Sequence, residues 1–198
     1  LGRATALAVQ VDRDNLAKTR AAAAVAAAAE GVSVEELSVR RVLRAEIAAG
    51  LHRRSTDDRS AVLKEASAAI GLTWMGRSLH FTAELLLHLE AAAARRATGA
   101  PGSGGPAPSC ADGMSHAHAT ALKPFHKLPL RSIFRAAAHQ APSYASLLRM
   151  LVPAEADAEQ REALVLPGMR RFVAAGLPVV RALQATLEEL ELRDTRRV

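Results

Sequence analysis

Apolar side chains follow helical spacing over long stretches of this chain, and residues 70–89 show the pattern most clearly. Ala, Leu, Arg and Glu are the dominant residues, and aromatic residues make up only 3% of the sequence. No alternating run of Val, Ile, Thr and Tyr is long enough to build a sheet, so we predict an all-α fold. The stripe within 70–89 consists of Leu72, Met75, Leu79, Leu86 and Leu89.

Capping residues, glycines and prolines divide the chain into seven or eight predicted helices. A length of 198 residues suits a single domain, 1–198, with a large core. Gly, Pro and Ser crowd the segment 98–113, which is typical of a flexible surface loop. The helices are expected at about 5–30, 33–50, 60–96, 115–123, 130–140, 144–151 and 166–192.

Charge and cysteine content narrow the class of protein. The net charge is +6, but the arginines occur as scattered pairs rather than as a basic block interleaved with aromatic residues. We therefore predict no nucleic-acid partner. The lone Cys110 cannot form an internal disulfide, and charged or histidine side chains interrupt the apolar segment 70–89 before it could span a bilayer. These features favour a soluble, cytoplasmic protein.

The sequence shows no set of side chains at the spacing of a metal site or of an enzyme's catalytic residues. His80, Glu84 and His88 share a helix face, and His116 and His118 lie close in sequence, yet neither set has a further strong ligand or a thiolate cluster. A solvated helix face explains them better. Ser109 lacks a Gly-x-Ser-x-Gly elbow, so we predict neither an enzyme nor a cofactor.

Trp74 is the only tryptophan in the chain and lies three residues before Arg77. A large ring with one polar N–H is costly to bury without a partner. Core packing is the common explanation for such a residue. A stacking platform for a ring-shaped ligand is the other.

Three motifs, in order along the chain, resemble the glycolipid transfer protein family. They are Leu-Thr-Trp-Met-Gly-Arg-Ser-Leu-His-Phe at 72–81, Ala-Leu-Lys-Pro-Phe-His at 121–126 and Ser-Ile-Phe-Arg-Ala-Ala-Ala-His-Gln-Ala-Pro at 132–142. The resemblance implies a two-layer helical sandwich that holds the hydrocarbon chains of a sphingolipid between its layers. It also implies transfer of that lipid between membranes by a monomer that touches membrane surfaces transiently.

In that family a Trp forms a flat floor for the first sugar, and a His from the second half of the chain holds the ceramide amide carbonyl. Trp74 and His126 match these motif positions. Phosphate-binding relatives carry Arg at the position of Trp74 and one turn earlier, where this chain has Ile70. The resemblance therefore implies a neutral glycosphingolipid ligand. Because Lys18 and Arg77 could meet a charged group, a phosphosphingolipid is the alternative, and a helical protein-interaction module without lipid is the alternative of another class.

The family also uses an Asp, an Asn and a Lys near the N-terminus for the sugar and the amide. Asn15 and Lys18 match the last two, and Asp12 or Asp14 supplies the carboxylate. Asp12 lies three residues before Asn15 instead of the family's four, whereas Asp14 lies four before Lys18, as in the phosphosphingolipid carriers. Both spacings share a helix face. Without the resemblance, these aspartates could simply complement a helix dipole.

The hydrocarbon chains require an apolar lining, and delivery requires contact with a membrane. Leu128 stands where glycolipid carriers place a second Trp two residues after the His, so we expect Leu128 to contact the membrane. The expected lining of the apolar cleft is Leu79, Ile133, Phe134, Leu147, Leu148, Leu151, Phe172 and Val180.

Overall fold

The computed structural model describes residues 3–54, 60–98, 107–152 and 156–197. Within these ranges the chain is almost entirely helical, as predicted, with one antiparallel pair of two-residue strands. The helices are α1 (Arg3–Glu30), α2 (Val39–Ala48), α3 (Ala68–Thr98), α4 (Cys110–Ala117), α5 (Leu128–His139), α6 (Tyr144–Leu151) and α7 (Ala158–Glu189). The strands are β1 (Arg53–Arg54) and β2 (Ala61–Val62), and shorter turns are the 3₁₀ segments Val34–Glu36 and Lys123–Phe125 and the π segment His118–Leu122.

Two helices predicted for the first half of the chain have different bounds in the structure. The expected helix 33–50 is split, because Ser33 and Glu36 close a capping box around one 3₁₀ turn and Ser38 then caps a new helix by accepting from Arg41 N. The expected helix 60–96 starts only at Ala68. Ala61 instead pairs with β1, and its N–H donates to the Arg193 carbonyl at 2.8 Å.

Helix bounds in the second half also differ from the prediction. The expected loop 98–113 ends earlier, because the Ser109 hydroxyl accepts from Asp112 N and starts α4 at Cys110; residues 99–106 lie outside the described residues. The expected helix 115–123 becomes the end of α4 followed by the π and 3₁₀ turns. The last helix begins at Ala158 rather than 166, since Asp157 and Gln160 bond each other's backbone N–H at its start.

The contacts divide the chain into two compact sets, and the prediction of a single domain stays a prediction. The first set contains residues up to Ser78 and Val179–Arg197. Its apolar core takes side chains from α1, α2, the start of α3 and the end of α7, and Leu43 is fully buried in it. The core members are Ala23, Val42, Leu43, Ala61, Leu63, Ala68, Ala69, Ile70, Leu72, Leu187 and Leu192.

A buried carboxylate fixes the start of α3 within this first set. Glu46, 6% exposed on α2, accepts hydrogen bonds from Ala68 N at 2.6 Å and Ala69 N at 3.1 Å. Its Oε2 also lies 3.2 Å from Nε2 of His52, whose side chain is 6% exposed. The first N–H groups of a helix have no partners within it, so a carboxylate there stabilises the helix end. Glu46 thus orients the helix that carries Trp74.

The second set contains Leu79–Pro178. Its core is built from the remainder of α3, α4, α6 and the first half of α7, and Leu89 is fully buried there. A cavity of about 560 Å³ opens beside α6 and the start of α7, with Leu148 and Tyr144 in its wall. The core members are Leu89, Cys110, Tyr144, Leu148, Val165 and Met169.

In the described part of the chain, α7 is the one helix whose length and composition would allow it to cross a bilayer. Sequence analysis considered only residues 70–89, in α3, for this role and did not identify α7. Only 28% of its most apolar window is buried. Core helices of soluble proteins share this length and composition, so the feature does not define a span.

Candidate functional site

Trp74 lies half-buried on α3 beneath a cation. The guanidinium carbon of Arg77 sits 4.6 Å from the centroid of the Trp74 ring, which is the geometry of a cation–π contact. Arg77 is only 8% exposed, and its Nη2 donates to the Asp194 carbonyl at 2.5 Å. Burial lowers the pKa of Arg77 to about 10 while Asp194 opposes the shift, so the side chain stays charged at neutral pH. One face of the indole is thus held by a fixed cation.

The C-terminal segment secures that cation. Asp194 is 5% exposed. Arg196 donates two hydrogen bonds to its carboxylate, from Nε to Oδ1 at 3.0 Å and from Nη2 to Oδ2 at 2.7 Å. The hydrogen bond to Asp194 raises the pKa of Arg196. Arg196 Nη2 also donates to the Leu63 carbonyl at 3.1 Å. Sequence analysis did not find Asp194 or Arg196, because nothing in the spacing of distant residues marks them as neighbours of Trp74.

Gly71 lets α1 approach α3 closely, one turn before Trp74. A Cβ at position 71 would lie 2.6 Å from the Asn15 carbonyl oxygen and 2.9 Å from Thr19 Oγ1. Asn15 is consequently 3% exposed against α3. One turn after Trp74, the Ser78 hydroxyl donates to Asp12 Oδ2 at 2.9 Å.

The four candidate residues of α1 therefore divide by face. Asp12 and Asn15 face the stretch of α3 that carries Trp74, whereas Asp14 is exposed and accepts a hydrogen bond from Gln10 at 2.8 Å. Lys18 is half-buried. The Nδ2 of Asn15 is buried and has no hydrogen-bond partner among the described residues. A buried amide without a partner is costly.

His126 belongs to the second set of residues and is 5% exposed. Its Nδ1 lies 3.2 Å from Nε2 of His118, and its carbonyl accepts from Arg131 Nε at 2.7 Å. The His118 ring stacks on Phe134, with centroids 4.5 Å apart and planes 14° apart. Phe134 in turn meets Phe81 edge to face at 5.7 Å. Sequence analysis considered His118 only as a weak metal ligand, and the aromatic-His motif at 125–126 was the available signal for this cluster.

Histidines on α3 and α4 share one carboxylate. Glu84 Oε1 lies 3.4 Å from His80 Nε2, and Glu84 Oε2 lies 3.4 Å from His116 Nε2. The His88 ring is 5.2 Å from that of His116. No group of three potential ligands within the described ranges has the geometry to hold a metal ion.

The expected cleft residues differ widely in burial. Leu148 is buried and Leu147 packs against the same core, while Leu79 and Phe172 meet at Gly176, whose Cβ would lie within 4 Å of both. Phe134 is half-buried in the histidine cluster. Val180 is buried in the first set. Three of the expected cleft residues are exposed, Ile133 (60%), Leu151 (57%) and Phe172 (40%), as is Leu128 (76%), the expected membrane contact.

Comparisons with known proteins address the fold and the family. A structure determined to explain how FAPP2 selects simple glycosphingolipids using the GLTP-fold matches with a TM-score of 0.67 at 17% identity, covering 100% of this chain and 81% of that chain. This likeness confirms the predicted all-α fold of the GLTP type. No curated protein matches the sequence significantly. The family model for glycolipid transfer protein (GLTP) matches residues 4–153, most of the chain. The chain therefore belongs to the glycolipid transfer protein family, whose members transfer lipids and are not enzymes.

Proposed function

We propose that this protein extracts a neutral glycosphingolipid from one membrane and delivers it to another. Each methylene kept from water is worth about 0.8 kcal/mol, so a lipid with two long chains leaves a bilayer very slowly unaided. A carrier that shields those chains lowers the barrier. The family assignment supports lipid transfer, and the surroundings of Trp74 support the choice of headgroup.

The observation that carries the proposal is the pairing of Trp74 with Arg77. The guanidinium is 4.6 Å from the indole centroid and is held by the Asp194 carbonyl, so the ring is braced on one face. The other face of this half-buried indole offers a flat apolar surface, on which the C–H face of a sugar ring can stack. Hydroxyl groups at the rim of that sugar would reach polar partners on α1.

On α1 the contacts support Asp12, Asn15 and Lys18 as the polar set, with Asp12 in preference to Asp14. Asp12 and Asn15 contact α3 one turn to either side of Trp74, and Asp14 is turned to solvent. The buried Nδ2 of Asn15 lacks a partner among the described residues. A sugar hydroxyl or an amide carbonyl accepting from that N–H would recover the roughly 1–3 kcal/mol that an orphaned buried donor costs.

A phosphosphingolipid has less support. A phosphomonoester favours charge-assisted, often bidentate donors, and arginine provides them best. At the two positions where phosphate-binding relatives carry arginine, this chain has Trp74 and Ile70, and Ile70 is 3% exposed within the core. Arg77 is already engaged by Asp194 and Trp74. Lys18 alone would leave most of the phosphate charge uncompensated.

The remaining roles follow from the family resemblance. We propose that His126 donates to the ceramide amide carbonyl and that Leu128, at the start of α5, enters the membrane surface during docking. Exposure of Leu128 at 76% supports the second assignment. The residues proposed to contact the hydrocarbon chains remain Leu79, Ile133, Phe134, Leu147, Leu148, Leu151, Phe172 and Val180.

The test is a vesicle-to-vesicle transfer assay with fluorescent glucosylceramide, galactosylceramide and ceramide-1-phosphate. We expect both glycosylceramides to move faster than the phosphate lipid. Trp74→Ala should slow glycosylceramide transfer about tenfold, since losing a stacked ring costs roughly 1–1.5 kcal/mol, and Trp74→Phe should retain most activity. Faster transfer of ceramide-1-phosphate, or full activity of Trp74→Ala, would show the headgroup assignment to be wrong.

A further inference from the structure

The contact between His118 and His126 has a chemical consequence for the ligand site. His118 Nε2 and His126 Nδ1 are 3.2 Å apart, a hydrogen-bond distance. Two neutral imidazoles can share such a bond only if one nitrogen carries the proton and the other accepts it. The hydrogen-bond partner at Nδ1 of an imidazole ring therefore decides whether Nδ1 or Nε2 of that ring carries the proton.

Two arrangements satisfy this bond. If His126 Nδ1 donates to His118, then His126 Nε2 is a bare acceptor. If His118 Nε2 donates to His126, then His126 Nε2 carries the proton and can donate it to a carbonyl oxygen. Only the second arrangement suits the ceramide amide carbonyl, because that oxygen accepts and cannot donate.

We infer that His118 is a positioning residue that holds His126 in its Nε2–H tautomer by donating from Nε2 to Nδ1. This inference rests on the proposed function, in which His126 donates to the amide carbonyl. His118 itself acts through His126 and has no assigned contact with the lipid. With this role for His118, the polar part of the proposed site consists of two hydrogen-bonded histidines instead of one.

The surroundings of His118 are suited to this task. Burial, followed by the repulsion that a protonated His126 would exert and by the charges of Arg131 and Lys123, lowers the pKa of His118 to about 4, so the His118 ring is neutral at physiological pH. Stacking on Phe134 at 4.5 Å fixes the plane of the His118 ring. Arg131 anchors the His126 backbone through the carbonyl. His118 also begins the π turn, a local irregularity that is frequent at functional positions.

The decisive measurement is ¹⁵N NMR of the histidine side chains in the full chain at pH 7, which reports the tautomer of each ring. We expect the Nε2–H tautomer for His126 in the wild-type protein. His118→Phe keeps a ring to stack on Phe134 but removes the donor, and should leave His126 with mixed tautomers. His118→Gln keeps a donor near the Nε2 position and should restore the wild-type state. His139→Phe, at an exposed histidine on α5, is the matched control.

Transfer of glucosylceramide between vesicles gives the functional readout. His118→Phe should slow transfer about two- to tenfold, the range expected for one hydrogen bond, while His118→Gln and His139→Phe stay within twofold of wild type. An Nδ1–H tautomer in wild-type His126, or an unchanged tautomer or rate in His118→Phe, overturns the inference. The wild-type spectrum alone decides the direction of the bond even where a variant fails to fold. If the wild-type protein carries no glycolipid, the proposed function fails, and that outcome is separate from the tautomer result.

Discussion

Replacing Gly71 by alanine tests whether the close approach of α1 to α3 matters for lipid transfer. The new Cβ would lie 2.6 Å from the Asn15 carbonyl oxygen, whereas the closest ordinary carbon–oxygen contacts are about 3.3 Å. The Asn15 oxygen belongs to the backbone and cannot rotate away. Helix α1 must therefore shift by roughly 0.7 Å or more relative to α3.

Two opposing terms set the stability change. Overpacking of this kind costs about 1–3 kcal/mol, while alanine is favoured over glycine inside a helix by about 1 kcal/mol. The net loss of unfolding free energy should be about 0–2 kcal/mol. Transfer should suffer more than stability, because the shift displaces Asp12 and Asn15 from Trp74. We expect glucosylceramide transfer to fall about tenfold, the effect of weakening one or two hydrogen bonds.

Other helical glycines provide the controls. Nothing lies within 4 Å of a Cβ at Gly168, so Gly168→Ala should raise stability by about 1 kcal/mol without changing transfer. Gly76→Ala meets the flexible end of Leu183 at 3.1 Å and should be nearly neutral. Urea denaturation and vesicle transfer measured on all three variants provide the comparison. Wild-type transfer by Gly71→Ala would refute the argument that this approach positions the polar residues.

Further predictions concern a helix cap, a membrane contact, a titration and the core. Glu46→Gln should cost about 2 kcal/mol by weakening the charged cap of α3, seen as a fall of roughly 4–8 °C in Tm; an unchanged Tm would contradict it. Leu128→Glu should reduce vesicle co-sedimentation and transfer but not Tm, whereas Val25→Glu, at a position 72% exposed on α1, should change neither. The folded-state pKa of His118 is lowered from 6.5 to about 4, so the unfolded chain binds more protons between these values and stability is lost as pH falls through them. His118→Gln should therefore lose less unfolding free energy than wild type between pH 7 and 5 in urea denaturation. Leu43→Ala, at a fully buried site, should cost about 3 kcal/mol in the same assay, and a loss below 1 kcal/mol would argue against a tight core there.

Helices were predictable where the local signals are complete. Ser143 at the N-cap and an apolar stripe locate α6 at Tyr144–Leu151, as expected from the sequence. Gly31, with a φ of +67°, follows the last residue of α1. Such signals involve neighbours in sequence, so they can be recognised without knowing the fold.

Errors arose where distant residues decide the local structure. Residues 61–67 have no local mark that separates them from α3, yet Ala61 bonds to the Arg193 carbonyl and the Glu46 carboxylate caps the helix at Ala68. The π turn at His118–Leu122 likewise has no helix-breaking residue at its start. Tertiary contacts override propensity at these positions.

The candidate site shows the same division. Trp74 and His126 could be proposed from motifs that resemble the family, whereas the preference that we propose for Asp12 over Asp14 rests on the contact between Ser78 and Asp12. The roles of Asp194 and His118 depend on side-chain contacts that spacing along the chain does not encode. Residue types are the basis of the chemistry that we propose, and side-chain contacts are the basis of the supporting roles that we propose.

The single tryptophan would give an intrinsic fluorescence signal for lipid binding at the proposed site. Because the chain has one tryptophan, all of its indole emission comes from Trp74, with no background from other sites. The guanidinium of Arg77 covers one face of this ring and is held by the Asp194 carbonyl. If a glycolipid headgroup binds over the other face of Trp74, as we propose, adding unlabelled lipid should change the wavelength or intensity of this emission, and binding could be followed without a dye on the lipid.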